Sequence, residues 1–158
     1  MDLINSTAIV TGGASGIGAG CARALAARGA TVVIADLQAD KGEALAEEIK
    51  GVFAQVDVTK TEQITAAVEQ AASIAPLKAC VNSAGIGSAV RTIGRDGQIE
   101  SAFPIEAFRK VVEINLIGTF DMVRQAATVM SRNEPCWCRS GRKWKHCHRL
   151  RTHVRAAE

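Results

Sequence analysis

The octapeptide Thr11-Gly12-Gly13-Ala14-Ser15-Gly16-Ile17-Gly18 restricts the folds open to this chain more than any other segment. It follows the apolar run of residues 7–10 and leads into the alanine-rich residues 19–28. A glycine-rich turn between a strand and a helix is an arrangement that cradles phosphates. Gly12 suits a tight turn, because a glycine takes backbone angles that a Cβ forbids. Gly16 and Gly18 let the backbone approach a ligand and let the helix pack against the strand. The helix N-terminus then directs unpaired N–H groups and partial positive charge at an anion, here a pyrophosphate.

Taken in order, residues 7–10 read as a buried strand and residues 16–28 as a helix ended by Gly29. The β-branched run 31–35 is a second strand. Residues 39–50, with Ala44, Leu45 and Ile49 on one side, form a helix. Residues 52–56 make a third strand. A helix over 61–72 takes Thr61 as its N-cap and Glu62 in its first turn. Residues 77–81 are the fourth strand, residues 86–104 a surface loop, and residues 105–130 a long helix or a broken pair. This alternation predicts an α/β fold: a doubly wound, Rossmann-type parallel sheet of about four strands in the order 3-2-1-4. No strand pattern follows Met130, so the sheet is expected to be truncated, with strand 77–81 on an open edge. Such an edge invites self-association.

Ligands of this fold lie beyond the carboxyl ends of the strands, where Gly12, Asp36, Asp57 and Asn82 are placed. Asp36 lies 18 residues past Gly18, the interval expected of a carboxylate that accepts hydrogen bonds from an adenosine ribose. It would repel a 2′-phosphate, and neither Leu37 nor any residue of the glycine turn is basic. The expected cofactor is therefore NAD rather than NADP. The expected contact set is Gly12, Ser15, Gly16, Ile17, Gly18, Asp36, Leu37, Asp57, Val58, Asn82, Ala84 and Gly85.

Residues 11–18, Asp36, Asp57-Val58, Asn82-Ser83-Ala84-Gly85 and Asn115 together resemble the short-chain dehydrogenase/reductases over about residues 5–135. Residues 81–87, 94–103 and 111–120 look most like the branch acting on 3-hydroxyacyl-CoA. The resemblance implies that Asp57 and Val58 contact adenine, that Asn82 and Ala84 line the nicotinamide side, and that Asn115 belongs to a catalytic relay. It also implies a tyrosine as general acid/base, a lysine four residues on that lowers its pKa, and a serine that orients the substrate. This chain contains no tyrosine. A dehydrogenase reaction by this chain alone is thus not expected.

Charge divides the chain. Residues 1–131 carry 11 Lys/Arg against 14 Asp/Glu, while residues 132–158 carry 8 against 2. Both tryptophans, all three histidines and three of the five cysteines fall in the second part. This marks a boundary near residue 131, followed by a module at 132–150 and a basic tail at 151–158. Cys136, Cys138, Cys147 and His148 suit a closed tetrahedral zinc site, with His146 as a competing ligand. Residues 132–150 resemble the SEC-C motif, which implies zinc and a protein or ribosome contact; Arg139 departs from that pattern. Seven cationic side chains with Trp137 and Trp144 form a basic patch fitted to acidic proteins, anionic lipid or nucleic acid. The Arg132-Asn133-Glu134-Pro135 stretch occurs in both resemblances, so a fusion at that point is expected.

No stretch approaches the roughly 18–20 apolar residues that cross a bilayer, and residues 1–5 lack the features of a signal peptide. A cytoplasmic location is expected, with cysteines as thiols or metal ligands. The functional expectation is an NAD(H)-binding half-domain with a zinc-stabilised basic tail for docking. Two alternatives are an oxidoreductase completed by another chain and a non-functional fusion product.

Overall fold

The computed structural model describes residues 3–133, and side chains as far as Met130. The expected zinc ligands Cys136, Cys138, Cys147 and His148, and the basic tail, lie outside the described residues. Four strands, β1 (Ser6–Thr11), β2 (Ala30–Asp36), β3 (Val52–Gln55) and β4 (Leu77–Asn82), pair in parallel in the order β3-β2-β1-β4. That is the expected order. In register, Val10 stands between Ile34 on β2 and Val81 on β4.

Strand alternation sorts the core into two layers. Ala8, Val10, Val32 and Ile34 point to one face, where Ala19 and Ala22 of α1 (Gly16–Ala26) and Leu45 and Ala46 of α2 (Ala39–Ile49) cover them. Ile9, Val33 and Ala35 point to the other. There they meet Ile64, Ala67, Val68 and Ala71 of α3 (Thr61–Ile74), with Met122 and Ala126 of the last helix. Each fully buried Ile or Val contributes about 1.5–3 kcal/mol, and Ile9, Val10, Val32, Val33 and Ile34 are all at 0% exposure. These five residues explain why β1 and β2 form the centre of the sheet.

The small side chains of α1 permit its close seat on the sheet. α2 ends where Lys50 takes a left-handed conformation, φ +54°. The expected N-cap role of Thr61 is not observed: Lys60 is the N-cap of α3, with no side-chain cap bond. The Thr61 hydroxyl instead donates to Asp121 Oδ2 at 2.7 Å. An acceptor on a packed neighbouring helix takes the hydroxyl that a local cap would have used.

The segment read as a long helix or a broken pair is continuous. α4 (Ile105–Val112) runs through a π-helical turn, Glu113–Gly118, into α5 (Thr119–Asn133). Gly118 lets this rod press onto the β3–α3 connection. A Cβ there would lie 2.8 Å from the Val58 carbonyl oxygen. β4 lies at the sheet edge, and its Ala79 and Val81 are only partly buried. On the last helical segment, Leu116, Phe120 and Val123 are exposed. No helix among the described residues is long and apolar enough to cross a membrane.

A polar cluster fixes α5 to α3. Asp121 accepts from Thr61 and, through Oδ1, from Gln125 Nε2 at 3.1 Å, and it pairs with Arg124 at 2.6 Å. Gln125 Oε1 also accepts from the Thr65 hydroxyl at 2.7 Å. Burial pushes the Asp121 carboxyl up, but the bonds from Thr61 and Gln125 and the Arg124 charge outweigh it and hold it below its ordinary value. A carboxyl with a depressed folded-state pKa adds stability above its unfolded value, near 3.9, and loses it as pH falls through the folded value. Acid unfolding followed by circular dichroism should therefore be steeper below about pH 4 in the parent than in Asp121→Asn. The variant should also be less stable at pH 7. Equal pH profiles would show that the cluster contributes nothing.

Candidate functional site

Where β1 ends, the chain turns sharply with Gly12 at φ +61° and opens into α1 at Gly16, φ +51°. Three of the four motif glycines, Gly12, Gly16 and Gly18, do different work. A Cβ on Gly12 would sit 2.6 Å from the Ala84 nitrogen, so this position lets the β1 and β4 ends meet. A Cβ on Gly18 would sit 2.1 Å from the Gly12 carbonyl oxygen, so this one lets the helix pack on the turn. A Cβ on Gly16 would meet nothing within 4 Å. Of these glycines, only Gly16 has room for a Cβ, which is where a ligand can come close to the backbone.

That space is a cavity of about 450 Å³ at the carboxyl ends of the strands. Ten of the expected contacts line it: Gly12, Ser15, Gly16, Ile17, Asp36, Leu37, Asp57, Val58, Ala84 and Gly85. Gly18 and Asn82 do not, nor does Asn115. Gln38, Ile86 and Ile114 line it without having been singled out in the sequence. Gln38 and Ile86 each lie one residue beyond an expected stretch, an extension that strand-end reasoning could have made. Ile114 enters through the π-helical turn, which leaves no mark in the sequence pattern.

The α1 end of the cavity is prepared for an anion. The first intrahelical bond runs from the Ala19 N–H to the Ser15 carbonyl at 3.0 Å, ahead of which the first N–H groups of any α-helix lack helical acceptors. The Ser15 side chain makes no cap bond. At the neighbouring strand end, Asp36 is 8% exposed. Its Oδ2 accepts the Ala14 N–H and its Oδ1 the Gln38 N–H, both at 3.0 Å. Each carboxylate oxygen can accept more than one bond, so the group retains capacity for hydroxyl donors. Asp57 accepts the N–H and the hydroxyl of Thr59 through Oδ1, at 2.9 and 2.8 Å. These bonds, with Lys60 and Lys110 nearby, hold its carboxyl below the usual range.

On the β4 side, Thr11 Oγ1 accepts the N–H groups of Ser83 and Ala84, both at 3.3 Å. Asn82 Nδ2 lies 3.8 Å from Cys80 Sγ, while its Oδ1 is buried without a partner among the described residues. Burial pushes the Cys80 thiol up to about 11, so it stays protonated and is no nucleophile at neutral pH. Asn115 forms a two-point clamp on Ile86: Oδ1 accepts its N–H at 2.9 Å and Nδ2 donates to its carbonyl at 2.8 Å. The clamp sets the cavity rim and leaves this amide engaged with backbone. No group of three or more His, Cys, Asp or Glu among the described residues could hold a metal.

A family model described as short chain dehydrogenase matches residues 6–136. The chain belongs to the short chain dehydrogenase family. A second model, the SEC-C motif, matches residues 132–150, so the two overlap at the Arg132-Asn133-Glu134-Pro135 stretch. Among curated relatives, the 3-hydroxyacyl-CoA dehydrogenase type-2 of Drosophila melanogaster is 41% identical over 83% of this chain and 52% of its own length. That of Homo sapiens is 38% identical over 81% and 49%. The crystal structure of 3-hydroxyacyl-CoA dehydrogenase type-2 from Mycobacterium avium superposes with a TM-score of 0.76 at 37% identity, covering 85% of this chain and 52% of that one. This family member spans about half the length of the curated relatives it matches.

The division of labour among the glycines can be checked by substitution. Gly18→Ala should lower the unfolding midpoint strongly, because the new methyl meets backbone. Gly16→Ala should cost only about 1–2 kcal/mol, the strain of a positive φ. Equal losses in thermal unfolding would contradict this assignment.

Proposed function

We propose that residues 1–131 form a dinucleotide-binding unit for NAD(H), and that this chain alone carries out no hydride transfer. One observation carries the reading: the cavity joins an open α1 N-terminus at Gly16 to the Asp36 carboxylate, matching the pyrophosphate and ribose of a dinucleotide. The Gly16 and Ile17 backbone would hold the pyrophosphate, and Ser15 would support it. Asp36 would take the ribose hydroxyls, Leu37, Asp57 and Val58 the adenine, and Ala84 and Gly85 the nicotinamide side. Asn82 stands behind that wall and Asn115 holds its rim through Ile86. Bound NAD supplies a hydride acceptor. Using it requires a proton acceptor for the substrate hydroxyl, and this family's tyrosine has no counterpart in the sequence.

Calorimetric titration of the purified chain with NAD should give saturable heat. Asp36→Ala should weaken binding roughly tenfold or more, the scale of lost hydrogen bonds to a charged group. No heat at millimolar cofactor would refute the binding role. With a 3-hydroxyacyl-CoA and NAD, the chain alone should produce no NADH absorbance. Turnover would refute the denial of catalysis. If a second chain supplies the missing catalytic groups, activity should appear only on mixing, and the open edge of β4 is the natural place for that chain or a second copy to join.

A second reading concerns residues 132–150, favoured by the SEC-C match. It assigns zinc to Cys136, Cys138, Cys147 and His148, with the basic tail docking an acidic protein or ribosomal partner. Metal analysis should find about one zinc per chain, as four ligands of this type hold one ion. Cys136→Ser should abolish it, and no zinc in the parent would remove this reading.

A further inference from the structure

One side of α5 keeps apolar side chains that the described residues leave largely uncovered. Asp121 and Gln125 face α3, where they meet Thr61 and Thr65. Met122 and Ala126 face the sheet and are fully buried. A helix completes a turn in about 3.6 residues, so Phe120, Val123 and Ala127 fall on a third side, away from both. Phe120 is 65% exposed and Val123 49%, and Ala127 is exposed as well. Leu116, a turn before Phe120, is 65% exposed. Arg124, next to Val123, has its charge paired with Asp121.

α5 ends at Asn133, and residues 134–158 follow it outside the described residues. Glu134 precedes Pro135, which disfavours helical backbone there and lets the chain leave the rod axis. At a rise of about 1.5 Å per residue, Val123 lies about 15 Å and Leu116 about 25 Å back from Asn133. At about 3.3 Å per extended residue, Trp137 reaches about 13 Å from Asn133 and Trp144 about 36 Å. A chain that doubles back can thus lay its indoles along this side from Ala127 to Leu116. We propose that the apolar side of α5 is the seat of this chain's own C-terminal segment, residues 134–158, held there by its tryptophans. The two parts carry opposite net charge, which favours their approach. A separate chain would have to build a stable interface, about 800 Å² per partner, on a strip a few side chains long. A tethered segment instead acts at an effective concentration of about a millimolar. Neither tryptophan is one of the four proposed zinc ligands, so metal binding and docking do not compete.

Trp137 and Trp144 are the only tryptophans and the chain has no tyrosine, so intrinsic fluorescence reports this segment alone. The test compares the full chain as parent, as the double variant Phe120→Gln/Val123→Gln, as Ala127→Gln, and as Ile99→Gln, an exposed control off the rod. All the substituted side chains are exposed, so circular dichroism should show the same helix content throughout. The parent should emit at shorter wavelength than it does in denaturant. The double variant should emit at longer wavelength and be quenched by acrylamide roughly twice as strongly, because its indoles lose their apolar cover. Ala127→Gln should shift in the same sense, and Ile99→Gln should match the parent. Rod variants with the parental spectrum would overturn the proposal, as would a parent that emits as it does in denaturant. A parental spectrum that moves to longer wavelength on dilution, with dimers in sedimentation, would also overturn it by giving this side to a second copy. None of these readouts involves NAD, so the dinucleotide reading stands or falls separately.

Discussion

The carboxylate of Asp36 accepts the Ala14 N–H through one oxygen and the Gln38 N–H through the other, each at 3.0 Å. Ala14 belongs to the turn between β1 and α1, and Gln38 to the turn between β2 and α2. A single side chain thus fixes two adjacent strand-to-helix turns relative to each other at the mouth of the cavity. The bond to Ala14 is buried and the bond to Gln38 partly so, where such bonds are worth more and an unpaired partner costs more. The glycine turn is held in one shape without any ligand. Binding then needs little reordering of the backbone, which is one of the large costs of association.

The rest of the site depends on close backbone approaches that the same turn allows. Gly12 lets the end of β4 come beside β1, and Thr11 Oγ1 then captures the Ser83 and Ala84 N–H groups. Asn115 does the same for Ile86 from the π-helical turn. The opposite condition prevails outside β4. There a parallel strand keeps an unpaired edge, and Ala79 and Val81 on it are only partly buried. A free strand edge favours association with another chain.

Much of this was legible in the sequence, for identifiable reasons. The order of the strands follows from alternating β-branched and alanine-rich segments, and the cavity from what stands at the strand ends. Asp36 was recognisable by its distance from Gly18. The details that escaped are those in which a tertiary partner outcompetes a local one. Thr61 gives its hydroxyl to Asp121, 60 residues away, instead of capping its own helix. Asn115 serves a loop backbone 29 residues earlier, a partnership invisible in a helix-like stretch.

The central claim is that a dinucleotide sits on the glycine turn and Asp36 of this chain. Amide resonances of the full chain, followed by NMR during NAD addition, test it at residue resolution. The account predicts saturable shifts of Ala14, Gly16, Ile17, Gly18 and Gln38, with Met122 and Ala126 of α5 left unmoved. Shifts confined to other residues, or none at saturating NAD, would contradict it.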